Sequence, residues 1–492
     1  MDKNEIYRML PKVDRLMTEE NIQEMISRHG YECVHKAVNS VLGRAREGLA
    51  RCGSEQEARA CIAEIPEQIR RVLEGWERPG LKPVVNGTGI ILHTGLGRAP
   101  LGESALQAAM KIAGGYSNLE YDLEKGQRGE RCLNFEELVC RVTGAEAAMA
   151  VNNNAGAVLL ALSAVAGGGE VVVSRGELVE IGGGFRIPEI MELGGARLRE
   201  AGTTNRTRLT DYENAVSGET RAFLKVHTSN YRIVGFTCSV SLGELCKLGR
   251  ARKIPVIQDL GSGVLVNLEK YGLEHEPTVQ EAVAQGADVV CFSGDKLMGG
   301  PQAGIIAGRK EYIEKIRRHP LVRALRIDKF TAAALEAVFR EYLHPESEEV
   351  KIPVLHMLSE TEDSLRRKAE NMAASLRNAA GIHSADCSPG ERERRAEQPG
   401  VLAEIAVEPC VSRTGGGSLP MQDIRSYAVT VAPREITAEE LGRRLRGKEI
   451  PVIGRISGER FFMDVRTVEE KYGGYLSEIF RGGDILRKGG RP

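Results

Sequence analysis

Lys296 offers the clearest chemistry in this chain. It stands in Val289-Val290-Cys291-Phe292-Ser293-Gly294-Asp295-Lys296-Leu297-Met298-Gly299-Gly300, an apolar strand that runs out into small residues and returns through glycines. Such a run presents an amine at the rim of a parallel sheet, the edge at which α/β proteins bind ligands. Desolvation there lowers the pKa of a lysine and fits it to condense with an aldehyde. Thirty-seven residues earlier, Asp259 ends a second apolar run, Val256-Ile257-Gln258-Asp259-Leu260-Gly261-Ser262-Gly263. An amine for an aldehyde and an anion for a pyridine nitrogen are what pyridoxal phosphate requires. A strand-end lysine and a helix-capping aspartate are the structural alternatives; the two residues together favour the cofactor.

Other segments place polar groups where the same edge is expected. Asn152-Asn153-Asn154-Ala155-Gly156 follows a strand and opens a helix. Backbone N–H groups and the helix dipole of Asn154, Ala155 and Gly156 suit a phosphate. Thr203-Thr204-Asn205 and His227-Thr228-Ser229-Asn230 each follow an expected strand, which makes Thr203, Thr204, His227 and Asn230 candidates. Asn86 to Arg98 is a glycine-rich loop offering His93 and Arg98. In His319-Pro320-Leu321-Val322-Arg323-Ala324-Leu325-Arg326, the i, i+3 spacing predicts Arg323 and Arg326 on one helix face, suited to an oxyanion. A solvated or ion-paired face is the alternative. Asp295 is expected to point away from Lys296 if the strand continues.

The elements that must position these groups form three regions. Residues 1–80 read as helical: Ile22, Met25 and Ile26 recur at helical spacing, as do Val34, Ala37, Val38, Val41 and Leu42. Ser54 and Glu57 spell a capping box, and Pro66 is expected to kink the helix that follows. Residues 81–345 alternate short apolar runs (148–151, 171–173, 223–226, 256–257, 289–292) with helix-length segments, the signature of a doubly wound, mostly parallel sheet. Residues 346–492 begin with a charged helical stretch and continue as a small α+β domain. Its expected strands are 401–407, 427–431 and 461–465, with a helix at 441–446 and a polar surface loop at 384–400.

Composition narrows the classes. The 492 residues carry a net charge of −1, so no global charge advertises nucleic acid or membrane binding. Thirteen Lys and Arg within residues 1–80 leave room for local phosphate contacts. Glycine, at 56 residues, is roughly one in nine against a usual ~7%. Ten scattered cysteines show no Cys-x-x-Cys, so neither a zinc site nor a disulfide framework is indicated and no metal is expected. No apolar run reaches the ~18–20 residues of a membrane span, and no signal peptide is apparent. A cytoplasmic location is expected.

Taken together, these residues resemble the bacterial selenocysteine synthase family, the L-seryl-tRNA(Sec) selenium transferases. The resemblance runs through Asn86–Arg98, Gly115–Asp122, Glu180–Pro188, Gly202–Thr207, Ser293–Lys296, Thr414–Pro420 and Pro451–Ile456, and includes Leu10–Asp14. It implies a fold-type I pyridoxal-phosphate transferase with a tRNA-binding N-terminal domain. The reaction implied converts seryl-tRNA(Sec) to selenocysteinyl-tRNA(Sec) with selenophosphate, through a dehydroalanyl intermediate. It also implies a ring-shaped homodecamer built from dimers. On this resemblance Lys296 and Asp259 serve the cofactor and the proton transfers, Arg98, Arg323 and Arg326 clamp selenophosphate, and His93 orients the leaving hydroxyl or contacts the substrate. Asn154, Ala155, Gly156, Asn230 and His227 contact the cofactor; Thr203, Thr204 and Asp295 contact substrate. Rival readings are a lyase of the same family acting on a small amino acid or amino sugar, an RNA-binding scaffold, and a cysteine desulfurase using Cys387.

Overall fold

The computed structural model describes residues 7, 9–50, 52, 54–182, 184–344, 351–382 and 402–489. The chain separates into two compact units, Met1–Pro83 and Val84–Pro492.

Among the described residues, the first unit contains five helices: α1 (Val13–Met17), α2 (Glu20–His29), α3 (Tyr31–Leu49), α4 (Glu55–Ala63) and α5 (Ile65–Glu77). Their inward faces, among them Ile22, Val34, Val38, Val41, Ile65 and Ile69, form a core of their own. Ser54 caps α4 by accepting from the Glu57 N–H. Pro66 does not kink a continuous helix. It sits in the first turn of α5, where its missing N–H costs nothing, and the helix divides before it.

The second unit is built on a seven-stranded sheet: β1 (Ala147–Val151), β2 (Glu170–Ser174), β3 (Arg197–Ala201), β4 (Thr220–Val226), β5 (Val256–Gly261), β6 (Val289–Ser293) and β7 (Gly304–Gly308). Their spatial order is β1-β7-β6-β5-β4-β2-β3, and β7 alone runs antiparallel to the rest. Alternate residues feed two cores, with Val256, Val290 and Phe292 on one face and Ile257, Val289 and Cys291 on the other. Covering both faces is what makes the strands read as continuous apolar runs. All five expected strands are present. β3 and β7, absent from the sequence reading, complete the sheet: β3 is an edge strand carrying Arg197, Arg199 and Glu200, and β7 is flanked by glycines.

After β1 comes α6 (Asn154–Ala166), and beyond β7 lies the short α7 (Leu321–Leu325). The charged stretch is two helices, α8 (Pro353–Ser359) and α9 (Glu362–Ala380). A second sheet follows, made of β8 (Ala403–Ser412), β9 (Ile424–Pro433), β10 (Arg455–Ser457) and β11 (Arg460–Asp464), antiparallel in the order β8-β9-β11-β10. The polar segment 384–400, with Cys387, lies outside the described residues.

A short parallel pairing of Val85–Asn86 with Val452–Ile453, a two-stranded sheet of its own, ties the start of this unit to its C-terminal region. The Asp464 N–H donates to Gly87 O, the Gly89 N–H to Thr467 Oγ1, and the Leu92 N–H to Thr414 O. The loop carrying His93 and Arg98 is therefore held from the C-terminal sheet.

Candidate functional site

Strand β6 ends at Ser293, and Lys296 lies in the turn that follows, pinned where the Leu297 N–H donates to Ser262 O. The lysine is 5% exposed. Burial lowers its pKa, Asp259 opposes that shift, and the Arg98 guanidinium adds to it. Asp259 lies on the neighbouring strand β5, paired with Cys291, and is itself 2% exposed. Burial raises its pKa, against the Asn154 hydrogen bond and the positive charges of Lys296 and His227. Asn154 Nδ2 donates to Asp259 Oδ1 at 2.9 Å. The His227 N–H donates to Asp259 O at 2.9 Å, and His227 Nδ1 lies 3.6 Å from Glu276 Oε1 without a hydrogen bond.

Two glycines wall the space in front of these groups. A Cβ on Gly261 would lie 3.9 Å from Lys296 Nζ and 4.0 Å from Asp259 Oδ1. A Cβ on Gly417 would lie 3.7 Å from Lys296 Nζ and 3.6 Å from Ser229 Oγ. A nucleophilic amine, a buried carboxylate, a flanking imidazole and a nearby helix N-terminus fit pyridoxal phosphate, and the unpartnered Asn154 Oδ1 and His227 Nδ1 leave hydrogen-bonding capacity beside it. Among the described residues no cluster of three His, Cys, Asp or Glu could hold a metal ion.

Several expectations need correction. The side-chain amide of Asn154 is directed at Asp259, so only its backbone N–H is available to a phosphate. The Gly156 N–H is committed to Asn153 Oδ1 at 2.8 Å, the cap of α6, and a Cβ there would lie 3.2 Å from Leu325. Gly156 is thus a packing position, while Ala155 stays exposed in the first turn. Asp295 does not turn away. The strand has already ended, and its Oδ2 accepts from Arg98 at 2.7 Å.

Arg323 and Arg326 do not share a helix face. Helix α7 stops at Leu325 because Leu325 O accepts from the Asn152 N–H and Arg326 is extended, bridging to Val151. Both guanidiniums remain on exposed residues beside the start of α6, and Arg326 lies 3.7 Å from Glu120. Thr203 and Thr204 follow β3, the edge strand, with β2, β4 and β5 between it and β6. At ~4.8 Å per strand they lie roughly 19 Å from Lys296 across the sheet, and Thr203 Oγ1 donates back to Arg206 O. Asn230 is exposed, and its Nδ2 donates to Glu180 O. His93 is half-buried with Nδ1 unpartnered.

The sequence reading missed Ser229 and Gly417 beside the lysine, Glu276 beside His227, and the grip of Asp295 on Arg98. The signal for Gly417 was present: three consecutive glycines, each with φ between +61° and +76°, let the loop press against Ile90, Leu92 and Lys296.

Known proteins resemble the chain along most of its length. Residues 84–469 match the family model L-seryl-tRNA selenium transferase, and residues 7–46 match selenocysteine synthase N terminal. The L-seryl-tRNA(Sec) selenium transferase of Carboxydothermus hydrogenoformans is 45% identical over 97% of this chain and 98% of its own. That of Geobacter sulfurreducens is 46% identical over 94% and 96%. The structure of a D-glucosaminate-6-phosphate ammonia-lyase superposes with a TM-score of 0.54 at 21% identity, covering 83% of this chain and 96% of that one, and shares the fold. The chain belongs to the L-seryl-tRNA selenium transferase family.

Proposed function

We propose that the protein converts seryl-tRNA(Sec) to selenocysteinyl-tRNA(Sec), with pyridoxal phosphate as cofactor and selenophosphate as selenium donor. The observation that carries this reading is the buried pair Lys296 and Asp259 on adjacent strand ends, facing a space walled by Gly261 and Gly417. Nearly full-length identity to seryl-tRNA(Sec) selenium transferases supports the substrate. Bound there, the cofactor supplies the electron sink that lets the serine Cα lose a proton and Cβ its hydroxyl. Lys296 would hold the cofactor's aldehyde carbon, and its amine, whose pKa burial lowers, would carry the serine Cα proton. Asp259 would face the pyridine nitrogen, whose proton would favour the ionised carboxylate against burial, and Asn154 fixes the carboxylate's orientation.

Arg98, aimed by Asp295, joins Arg323 and Arg326 in drawing in selenophosphate, and His93 positions the departing hydroxyl. The helical unit formed by residues up to Pro83 grips the tRNA, with basic side chains available for phosphates. Exposed apolar side chains at Met110, Tyr116, Leu123, Val234 and Phe236 support assembly into a homo-oligomer, a homodecamer built from dimers in this reading. No helix among the described residues is long and apolar enough to cross a membrane.

The test is the cofactor absorbance band of the purified protein, followed on adding seryl-tRNA(Sec), seryl-tRNA(Ser) or free serine. A change with seryl-tRNA(Sec) alone, abolished in Lys296→Ala, is expected. A response to free small amino acids would replace this reading with the lyase.

A further inference from the structure

His93 and Arg98 also border a cavity of about 410 Å³ that Lys296 does not line. It lies between the 93–100 loop, helix α8, the start of α9 and residues 466–470. Its size falls within the usual ~300–1,000 Å³ of small-ligand sites. One wall is apolar: Leu96, Pro100, Pro353, Met357 and Val468. The other is charged, with Arg98, Lys368 and Arg466 against Glu360, and Glu469 and Glu470 also line the cavity.

The polar groups here are built in and incompletely satisfied. The Glu360 side chain is 9% exposed; its Oε1 lies 3.8 Å from Lys368 Nζ and its Oε2 has no partner. Arg466, 3% exposed, is fixed by donating to the carbonyls of Met357, Glu360 and Arg425, which leaves its Nε unpartnered. His93 Nδ1 is the third unpartnered atom on this lining. A buried acceptor with no donor is costly unless a ligand supplies one.

A substrate esterified through the 3′-terminal ribose of an RNA must seat that nucleoside within an ester's length of the reacting carbon. The loop carrying His93 and Arg98 is common to both spaces. An apolar wall suits the face of a base, and a lone carboxyl oxygen suits an exocyclic amine. Adenine carries that amine; an unsubstituted purine, which lacks it, would leave the oxygen unpartnered. Burial raises the Glu360 pKa, and adenine accepts either form, since a protonated carboxyl also donates to N1.

We propose that this cavity is the subsite for the 3′-terminal adenosine of the aminoacylated RNA, with the base on the apolar wall, its amine on Glu360 Oε2 and the adjoining phosphate toward Lys368. The inference rests on the seryl-tRNA reading. The holoenzyme titrated with adenosine 5′-monophosphate and purine riboside 5′-monophosphate should bind the first roughly tenfold more tightly. Glu360→Leu should erase that difference. Met357→Trp, which fills the cavity, should raise the KM for seryl-tRNA(Sec) by tenfold or more while the cofactor band keeps its intensity. Equal binding of the two nucleotides, or an unchanged KM in Met357→Trp, overturns the proposal. A wild-type protein that makes no selenocysteinyl-tRNA would sink the functional reading instead, and the nucleotide comparison would still judge the cavity.

Discussion

Lys296 and Asp259 titrate in opposite directions for one reason, removal from water. Before the cofactor binds, folding favours the neutral amine, so the unfolded chain holds more protons in the window between the lowered folded value and the ordinary ~10.4. Stability of the apoprotein therefore rises with pH across that window. Asp259 acts with the opposite sign: its folded form holds more protons above the ordinary ~3.9, so stability falls as pH rises through its elevated value. Denaturant unfolding of the apoprotein between neutral and alkaline pH should show the rise, and Lys296→Met should flatten it. An unaltered slope in the variant would assign the rise to another group. These two residues were legible because each announces itself locally, as a polar residue closing an apolar run. Ser229 was not, because a serine among short polar residues acquires meaning only from what faces it.

Among the elements, the segment from Val85 to Arg98 decides how the site is framed. Gly89 has φ +74°, and a Cβ there would collide with the carboxylate of Asp464. That carboxylate is fully buried and accepts from Ser412 Oγ at 2.8 Å and Ser426 Oγ at 2.6 Å, so it has no room to retreat. Gly89→Ala should destabilise the protein by about 3 kcal/mol and weaken cofactor retention, because the displaced loop carries His93 and Arg98. Chemical denaturation and the absorbance of the purified variant check both effects. Helix α7 teaches the converse lesson. Arg323 and Arg326 are correctly spaced for one helix face, yet a five-residue helix has little stability of its own. The Val151 bridge extends the chain at Arg326 instead.

In the whole molecule, the five-helix unit closes its own core with Leu16, Val38, Ile65 and Leu73. A chain beginning at Val84 is therefore expected to keep its cofactor band and lose its response to seryl-tRNA(Sec). In the intact protein, the KM for that tRNA should climb steeply with salt as phosphate contacts are screened. A truncated chain that still distinguishes tRNA(Sec) from tRNA(Ser) would place recognition elsewhere.

Sequence by itself determined local facts: that five apolar runs are strands, and that an amine and a carboxylate close successive apolar runs. Those follow from side-chain periodicity and backbone preference, which act over a few residues. Tertiary structure decided which edges meet. Strand order sent Thr203 and Thr204 to the rim while it set Asp259 beside Lys296 and Asn154 against Asp259. The return of the C-terminal sheet carried Gly417 to within reach of the lysine from more than a hundred residues away. Strand pairing and close packing join residues without regard to their separation along the chain, so no local pattern records them.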